Sequence, residues 1–479
     1  MSLSILLTRA RVGVSAPLVT VETHLSNGLP GLAIVGLPET AVKESKDRVR
    51  SALINSGFEF PARRITVNLA PADLPKEGGR FDLAIAIGIL SASGQIDEKK
   101  TTTTEFYGEL ALSGGIRSVP GLMPAAVACK KNNHLAVVPA DNLSEATMVA
   151  ALRVITPRSL TELVAHLTGE ETMSEVIGGI ALSCPTEPIP SLDLADIKGQ
   201  YQAKRALEIA AAGGHNMLMY GPPGTGKTML AARLPAILPT LTDDEALETA
   251  SIASVAGLPI DPLAWRSRKF RAPHHTASAV ALVGGGSIPR PGEISLAHFG
   301  VLFLDELPEF DRRVLEVLRE PMESGEIVIS RAAQQMTFPA RFQLVAAMNP
   351  CPCGYAGHPQ NDCRCTEQQV QRYRQKISGP LLDRFDLHIE VPVMSISDLQ
   401  NDSTEEPTSR VRDRVSSARE LAVMRSGSAN QFLSGEALNK LCSLQKSDKA
   451  MLEKALQKLG MSARAYFKIL KVARTIADL

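Results

Sequence analysis

Apolar and polar positions change their rhythm three times along the chain. Before residue 180, short strand-like runs at 65–69 and 135–138 interleave with helix-like patterns at 40–55 and 123–132, which predicts an α+β or α/β first domain. Three prolines then fall within 183–191, where they block both a helix and a central strand and so mark a linker. The next runs, at 217–220, 301–304 and 344–348, are short and apolar. Each is bounded by polar or turn residues, the pattern of strands buried on both faces of a parallel sheet. A glycine-rich turn follows the first of them and a helix opens at 229–238, so this stretch reads strand, turn, helix. A polar, acidic stretch at 395–409 is a second break, and the remainder is helical in pattern. No internal repeat is visible. The predicted layout is a first domain at 1–170, a proline-rich linker at 171–195, an α/β core at 196–395 with a cysteine-rich insert at 351–365, and a helical end at 396–479.

The glycine-rich turn carries the first chemistry. Gly221, Pro222, Pro223, Gly224, Thr225, Gly226, Lys227 and Thr228 match the P-loop (Walker A) pattern at each fixed position. The glycines let backbone N–H groups wrap phosphates, and the helix N-terminus adds a favourable dipole. Lys227 reaches the β- and γ-phosphates and the Thr228 hydroxyl ligates Mg²⁺. Val301-Leu-Phe-Leu-Asp305-Glu306 is the matching Walker B strand, presenting Asp305 to the Mg²⁺ and Glu306 to an attacking water. An Asp-Glu pair alone would be a solvated strand end; downstream of a P-loop it points to hydrolysis of ATP with Mg²⁺.

Three further polar residues are placed suggestively. Asn349 ends the run 344–348, where it either orients water near the γ-phosphate or caps the turn before Pro350. Arg384, next to Asp383 and near Asp386, is either an arginine finger offered to a neighbouring copy's nucleotide or half of a surface ion pair. Arg464 opens the last helix and, on residue type alone, is a solvated arginine.

Composition narrows the class without redirecting it. Lys and Arg number 51 and Asp and Glu 51, so no global basic field points to nucleic acid, while a local basic face stays compatible. The longest apolar stretches, such as 83–90, fall well short of the ~20 residues of a membrane span, so no membrane partner is expected. Arg9 and Arg11 follow the first apolar residues, the wrong order for a secretory signal, and a cytoplasmic location is expected. Four of the seven cysteines, Cys351, Cys353, Cys363 and Cys365, form a C-x-C…C-x-C insert with His358 between the pairs. Four soft ligands in a short polar loop suit tetrahedral Zn²⁺, with His358 an alternative to one sulfur. Free thiols or a redox pair are the competing readings.

Two basic places could follow a nucleic-acid backbone without reading its sequence. One is the segment 266–275 with Lys269, Arg271, His274 and His275, whose competing reading is polar residues packed against the nucleotide face. The other is a predicted hairpin over 326–336 with Arg331 near its tip, where an arginine is otherwise merely solvated.

These residues together resemble the magnesium-chelatase-like branch of the AAA+ ATPases, and within it the ComM (YifB) family, across essentially the whole chain. The matches include Gly31-Leu-Ala-Ile-Val-Gly-Leu-Pro-Glu39, Asn68-Leu-Ala-Pro-Ala-Asp-Leu-Pro-Lys76, Ala272-Pro-His-His-Thr-Ala-Ser278, Pro291-Gly-Glu-Ile-Ser-Leu-Ala-His298 and Asn349-Pro-Cys-Pro-Cys-Gly354, together with the helix opened by Arg464. The resemblance implies a hexameric helicase that drives branch migration of recombination intermediates during natural transformation. It implies Asn349 as sensor 1, Arg384 as a finger acting in trans and Arg464 as sensor 2. Its implied partners are single-stranded, forked or branched DNA, further copies of the chain, and recombination proteins. The family pattern also implies further helix after Leu479. Two other readings stay open: a magnesium-chelatase-type ATPase that remodels a metal-insertion partner, and a protein-remodelling AAA+ ATPase.

The first domain resembles the Lon-protease fold without its chemistry. Active Lon enzymes carry the nucleophilic serine in a Pro-Lys-Asp-Gly-Pro-Ser run; the matching run here places Arg80 at the serine, after Pro75-Lys76-Glu77-Gly78-Gly79. Where a general-base lysine would follow a Gly-Leu step, Met123 follows Gly121-Leu122. Arginine cannot attack an amide and methionine cannot take a proton, so a Ser-Lys mechanism is unavailable. The expected fold class is therefore α/β, an inactive Lon-protease-like N-terminal domain followed by a AAA+ P-loop ATPase domain with a C-terminal helical lid. Lys76 and Arg80 are expected in a solvated loop, with a phosphate contact as the other option.

Overall fold

The computed structural model describes residues 3–36, 42, 44–97, 101–179, 192–286, 289–330, 335–358, 360–394 and 405–479. The chain forms two compact units, Met1–Glu187 with Asp243–Trp265, and Pro188–Thr242 with Arg266–Leu479.

The first unit is built on an eight-stranded mixed sheet. From one edge to the other its strands are Val176–Ile177, Arg153–Ile155, Leu135–Val137, Thr104–Phe106, Leu3–Arg9, Leu18–Ser26, Arg64–Ala70 and Gly31–Val35. Alternation along the central strands sends Val19, Val21 and Leu25, and Ile65, Val67 and Leu69, to the buried face. The helix Asp82–Ala92 lies against Leu3–Arg9 and Leu18–Ser26; it is apolar almost all round, as a helix enclosed by its own domain must be.

One segment departs from the predicted layout. The helix Asp243–Ala256 falls between Walker A and Walker B in sequence, inside the expected 196–395 core, yet it packs in the first unit against Met123–Lys131. Ala250 joins the core formed by Leu122, Met123, Ala126 and Val149. Ser254 Oγ accepts from the Met123 backbone N–H at 3.3 Å and donates to the Glu145 carboxylate. The buried side of this helix is Ala, Ser and Thr with Ile252 and Val255, a surface too small in relief to announce its partner.

The second unit holds a five-stranded parallel sheet in the order Phe270–Arg271, Val301–Leu304, Gln343–Met348, Met217–Tyr220, Leu387–Glu390. Every residue of Val301–Leu304 and Gln343–Met348 is buried, as the continuous apolar runs 301–304 and 344–348 predicted for all but Gln343. The helices Tyr201–Gly213, Lys227–Ile237 and Thr408–Ser426 pack together beside it. After Met217–Tyr220 the chain runs to one edge of the sheet, and after Gln343–Met348 it crosses to the other. These two neighbouring strands therefore flank a topological switch point, where ligands settle beyond the carboxyl ends. A small cluster of Leu433, Leu438, Cys442 and Leu470 holds the C-terminal helices. The predicted hairpin forms from Glu326–Ser330 and Gln335–Pro339; Arg331 lies outside the described residues, as does the proline-rich stretch 183–191. Among the described residues no helix is long and apolar enough to cross a membrane.

Candidate active site

Strand register assembles the site. Tyr220 pairs with Met348 and Leu304 with Ala346, so Gly221, Asp305 and Asn349 emerge side by side at the carboxyl ends of three adjacent strands. The turn between strand and helix needs its glycines for two different reasons. A Cβ on Gly221 would stand 2.2 Å from the Val391 carbonyl oxygen, and Gly224 and Gly226 take left-handed φ values of 77° and 88°.

Inside this turn Lys227 is buried, and its Nζ donates to the carbonyls of Gly221 and Pro222 at 2.8 Å each and to Asn349 Oδ1 at 3.3 Å. Burial lowers the basicity of its ammonium, opposed by the charges of Asp305 and Glu306. Thr228 Oγ1 donates to Asp305 Oδ2 at 2.6 Å, while Asp305 Oδ1 accepts the Glu306 backbone N–H at 2.9 Å. Two hard oxygen donors, both facing solvent, meet what Mg²⁺ requires, since that ion keeps most of its waters and takes one or two protein oxygens. Glu306 sits at φ 52°, ψ 46°, a left-handed backbone rare outside glycine and found where function imposes it. Its carboxylate Oε2 lies 3.3 Å from His275 Nδ1.

The structure separates the arginines from this cluster. Arg384 precedes Leu387–Glu390, and its carbonyl accepts from Asn216 Nδ2, just before Met217–Tyr220. It therefore lies at the amino ends of the parallel strands, four residues or about 13 Å of strand from the phosphate turn. Its guanidinium bonds Pro380 O at 2.6 Å and pairs with Glu323, in a groove lined by Glu316, Arg319, Glu320 and Ser324. The expected alternatives of Asp383 or Asp386 as ion-pair partners give way to Glu323. Burial, followed by the charges of Arg319 and Arg464, lowers the Arg384 pKa, so Arg464 stands in the same quarter of the molecule as Arg384.

The cysteine insert is a compact knot. Sulfur atoms of Cys351, Cys353, Cys363 and Cys365 all lie within 4.8 Å of one another, with Cys351–Cys353 at 3.3 Å and Cys351–Cys363 and Cys353–Cys363 at 3.6 Å. Tetrahedral zinc thiolates with Zn–S near 2.3 Å require S···S of about 3.8 Å, so the four residues fit that ion. Backbone N–H groups of Tyr355 and Arg364 pull the Cys353 thiol down to about 6, while burial and the neighbouring sulfurs push Cys363 and Cys365 up, so Cys353 rather than these two is the ready thiolate. His358 is engaged elsewhere: its Nδ1 accepts from the backbone N–H groups of Gln360 and Asn361 at 3.0 Å.

The knot is joined to the nucleotide site. A Cβ on Gly354 would meet Pro223 Cδ of the phosphate turn at 2.8 Å. The helix Glu367–Gln375, opened by a Thr366 capping box just after Cys365, returns Arg374 to the Pro350 carbonyl at 3.4 Å. The Tyr373 hydroxyl accepts the Asn349 backbone N–H; burial pushes its pKa up to about 12.

The basic segment turns inward. Arg271 forms two 2.6 Å bonds to Glu293, His275 meets Glu306, and His274 Nδ1 lies 2.9 Å from Thr276 Oγ1, while Lys269 is exposed. The competing reading, polar residues against the nucleotide face, describes His275. Sequence reasoning missed Gln200 and Tyr373. Gln200, buried and at φ 50°, links the Thr225 and Pro392 carbonyls at 3.4 and 2.9 Å, and a lone glutamine carries no motif to reveal it.

In the first unit Arg80 and Lys76 are not solvated, contrary to expectation. Lys76 is fully buried with its Nζ on the Pro71 carbonyl, and Arg80 donates to Pro120 O at 2.9 Å and Gly121 O at 3.2 Å. Burial, with a smaller contribution from Arg11, pushes the Arg80 pKa down to about 10. Met123 is buried beside them, its backbone held by Glu145 and Ser254.

A phosphate turn, an Asp-Glu strand end and a neighbouring asparagine on a sheet of this order place the chain among the AAA+ ATPases of magnesium-chelatase type. Family models agree: subunit ChlI of Mg-chelatase matches residues 21–142, magnesium chelatase subunit ChlI matches 193–399, and the ChlI C-terminal model matches 405–479. Competence protein ComM of Haemophilus influenzae is 54% identical over 483 residues, which spans 100% of this chain and 94% of that protein. YifB of Escherichia coli is 51% identical over 480 residues, with the same shares covered. The magnesium-chelatase 38 kDa subunit of Rhodobacter capsulatus is 28% identical over 222 residues, 42% of this chain and 56% of that one. The chain belongs to the ComM/YifB family.

Proposed function

We propose that this chain hydrolyses ATP as one subunit of a homo-hexameric ring and uses the energy to move DNA, driving branch migration of recombination intermediates during natural transformation. The support is the division of labour just described. Lys227, Thr228, Asp305, Glu306 and Asn349 gather at the carboxyl ends of the strands, whereas Arg384 stands at the amino ends, beyond reach of its own subunit's phosphates. A neighbouring copy is what such an arginine can serve, with Arg464 beside it as sensor 2.

In this reading Lys227 and the turn's N–H groups hold the phosphates, Asn349 orients the water and Glu306 takes its proton. Mg²⁺, held through Thr228 and Asp305, supplies charge neutralisation at the phosphate oxygens. Zn²⁺ on Cys351, Cys353, Cys363 and Cys365 orders the insert that carries Asn349 at its root. Lys269, His274 and Arg331 are the proposed strand contacts; Arg271 and His275 act on their internal partners. The first unit is a Lon-like scaffold without peptidase chemistry, because Arg80 and Met123 occupy its two reactive positions.

The test is ATP-dependent movement of a mobile four-way junction by the purified protein, with Lys227→Ala as control. The native protein should resolve the junction and the variant should not. No movement, together with an ATPase rate indifferent to DNA, would reject the motor. Stimulation by a protein partner instead would favour the chelatase-type reading.

A further inference from the structure

Asn216 stands where three neighbouring strands begin. It immediately precedes Met217–Tyr220, and its buried side chain bonds to the segments on either side of that strand. On one side Leu344, near the start of the strand that ends before Asn349, donates its backbone N–H to Asn216 Oδ1 at 2.8 Å. On the other, Asn216 Nδ2 donates to the Arg384 carbonyl at 3.1 Å, just ahead of Leu387–Glu390. These partners fix which way the amide points, because a backbone N–H only donates and a carbonyl only accepts.

The main chain of Asn216 closes the same clasp. Its N–H donates to Asp386 Oδ2 at 3.0 Å, and its carbonyl accepts from the backbone N–H groups of Asp386 at 2.9 Å and Leu387 at 3.1 Å. Lys468 Nζ, on the helix Ala463–Asp478, holds the Phe385 carbonyl at 3.1 Å, and Phe385 itself is buried. The backbone of Arg384 is thus pinned before its long side chain begins, and where a guanidinium can reach depends on where its Cα is held. Met217, Leu218 and Met219, which follow Asn216, are all buried. A small apolar residue at 216 would fill the space, but it could not tie one strand to the segment that carries Arg384. An amide is worth burying here only because both of its ends are bonded.

We infer that Asn216 is a positioning residue for ATP hydrolysis at the neighbouring subunit, setting Arg384 through its main chain. The inference rests on the proposed action of Arg384 in trans. The two strands braced by Asn216 at their amino ends carry Gly221 and Asn349 just past their carboxyl ends. One amide therefore joins a subunit's own phosphate turn to the arginine it presents to the next.

The experiment measures steady-state ATP hydrolysis by full-chain Asn216→Asp and Asn216→Ala, each alone and each mixed with Lys227→Ala. Aspartate keeps the acceptor for Leu344 and turns the Nδ2 donor into an oxygen that repels the Arg384 carbonyl. Its kcat should fall about tenfold, the scale expected when a catalytic group is displaced by a fraction of an ångström. KM for ATP should stay within about twofold, since no phosphate contact is touched. A thermal melt and binding of a fluorescent ATP analogue check the fold, and Asn216→Ala carries the test if the buried carboxylate unfolds Asn216→Asp. Lys227→Ala has a dead site of its own but an intact Arg384. Mixed with it in equal amounts, the Asn216 variant should recover to about a quarter of the native rate, because random assembly of a ring makes about one interface in four competent. A merely structural role gives no such recovery, since a site damaged within its own subunit stays damaged beside any neighbour. Native kcat in a folded variant overturns the inference. So does a loss that Lys227→Ala fails to rescue while it rescues Arg384→Ala. If Arg384→Ala itself is not rescued, the action of Arg384 in trans fails, and this inference falls with it.

Discussion

Two cations in this chain are stripped of water at glycine-rich turns, and only one of them makes a ligand site. Lys227 and Arg80 are both buried, both donate to backbone carbonyls, and both are made less basic by burial. Around Lys227 the turn opens outward: Gly224 and Thr228 are exposed, and Asp305 and Glu306 stand across from it. Around Arg80 the turn closes, with Gly79, Arg80 and Phe81 all buried and Met123 and Tyr107 packed in the same unit. Desolvating a positive charge is costly in either place. The cost becomes useful only where an anion can enter and replace the lost water; elsewhere the same guanidinium is a structural plug.

The role proposed for Arg384, a cation offered to a neighbouring copy, extends the comparison and carries the largest expected effect. Arg384→Ala should lower kcat for ATP by about 10³-fold while nucleotide binding stays nearly native, because a trans finger acts in the transition state. Normal turnover by a folded variant would return Arg384 to the status of a surface ion pair with Glu323. The cysteine knot should matter less. Stripping metal with a chelator, or Cys363→Ser, loosens the insert that holds Asn349 through Tyr373, and kcat should fall roughly tenfold with little change in KM. Parallel metal analysis must show zinc lost with the activity; full activity in metal-free protein would uncouple the knot from the site. The smallest effect on turnover should come from the closed turn. Arg80→Ser leaves ATP hydrolysis within about twofold and creates no peptidase, since Met123 still offers no base. It should destabilise the first unit by about 2 kcal/mol through the vacated volume and two unpaired carbonyls, read as a lower denaturant midpoint.

The fold was most readable where burial is uniform. The strands at 217–220, 301–304 and 344–348 appear in the structure within a residue of their predicted bounds, because a strand covered on both faces writes a continuous apolar run. The Walker residues were readable for a different reason: phosphate binding fixes residue types at fixed spacing. What stayed hidden depends on partners distant in sequence. Arg80 on a glycine-rich loop has the local signature of a solvated residue, and only the tertiary packing over it says otherwise. His275 meets Glu306 through a strand register that joins segments about thirty residues apart. Tyr373 is one aromatic on a polar helix until the turn after Asn349 folds against it.

The helix Asp243–Ala256 changes how the two units can be handled. The chain passes from one to the other at three places, after Glu187, after Thr242 and after Trp265, so they are laced together like cloth stitched through rather than beads on a string. A fragment beginning near residue 190 keeps this helix but loses its bed, leaving Ala246, Ala250, Ile252 and Val255 uncovered and prone to clump. A fragment ending near residue 187 keeps the bed and loses the helix. Grafting either unit onto another protein therefore means moving the loop 243–265 with the first and re-closing the gap in the second, and no single cut yields two intact halves.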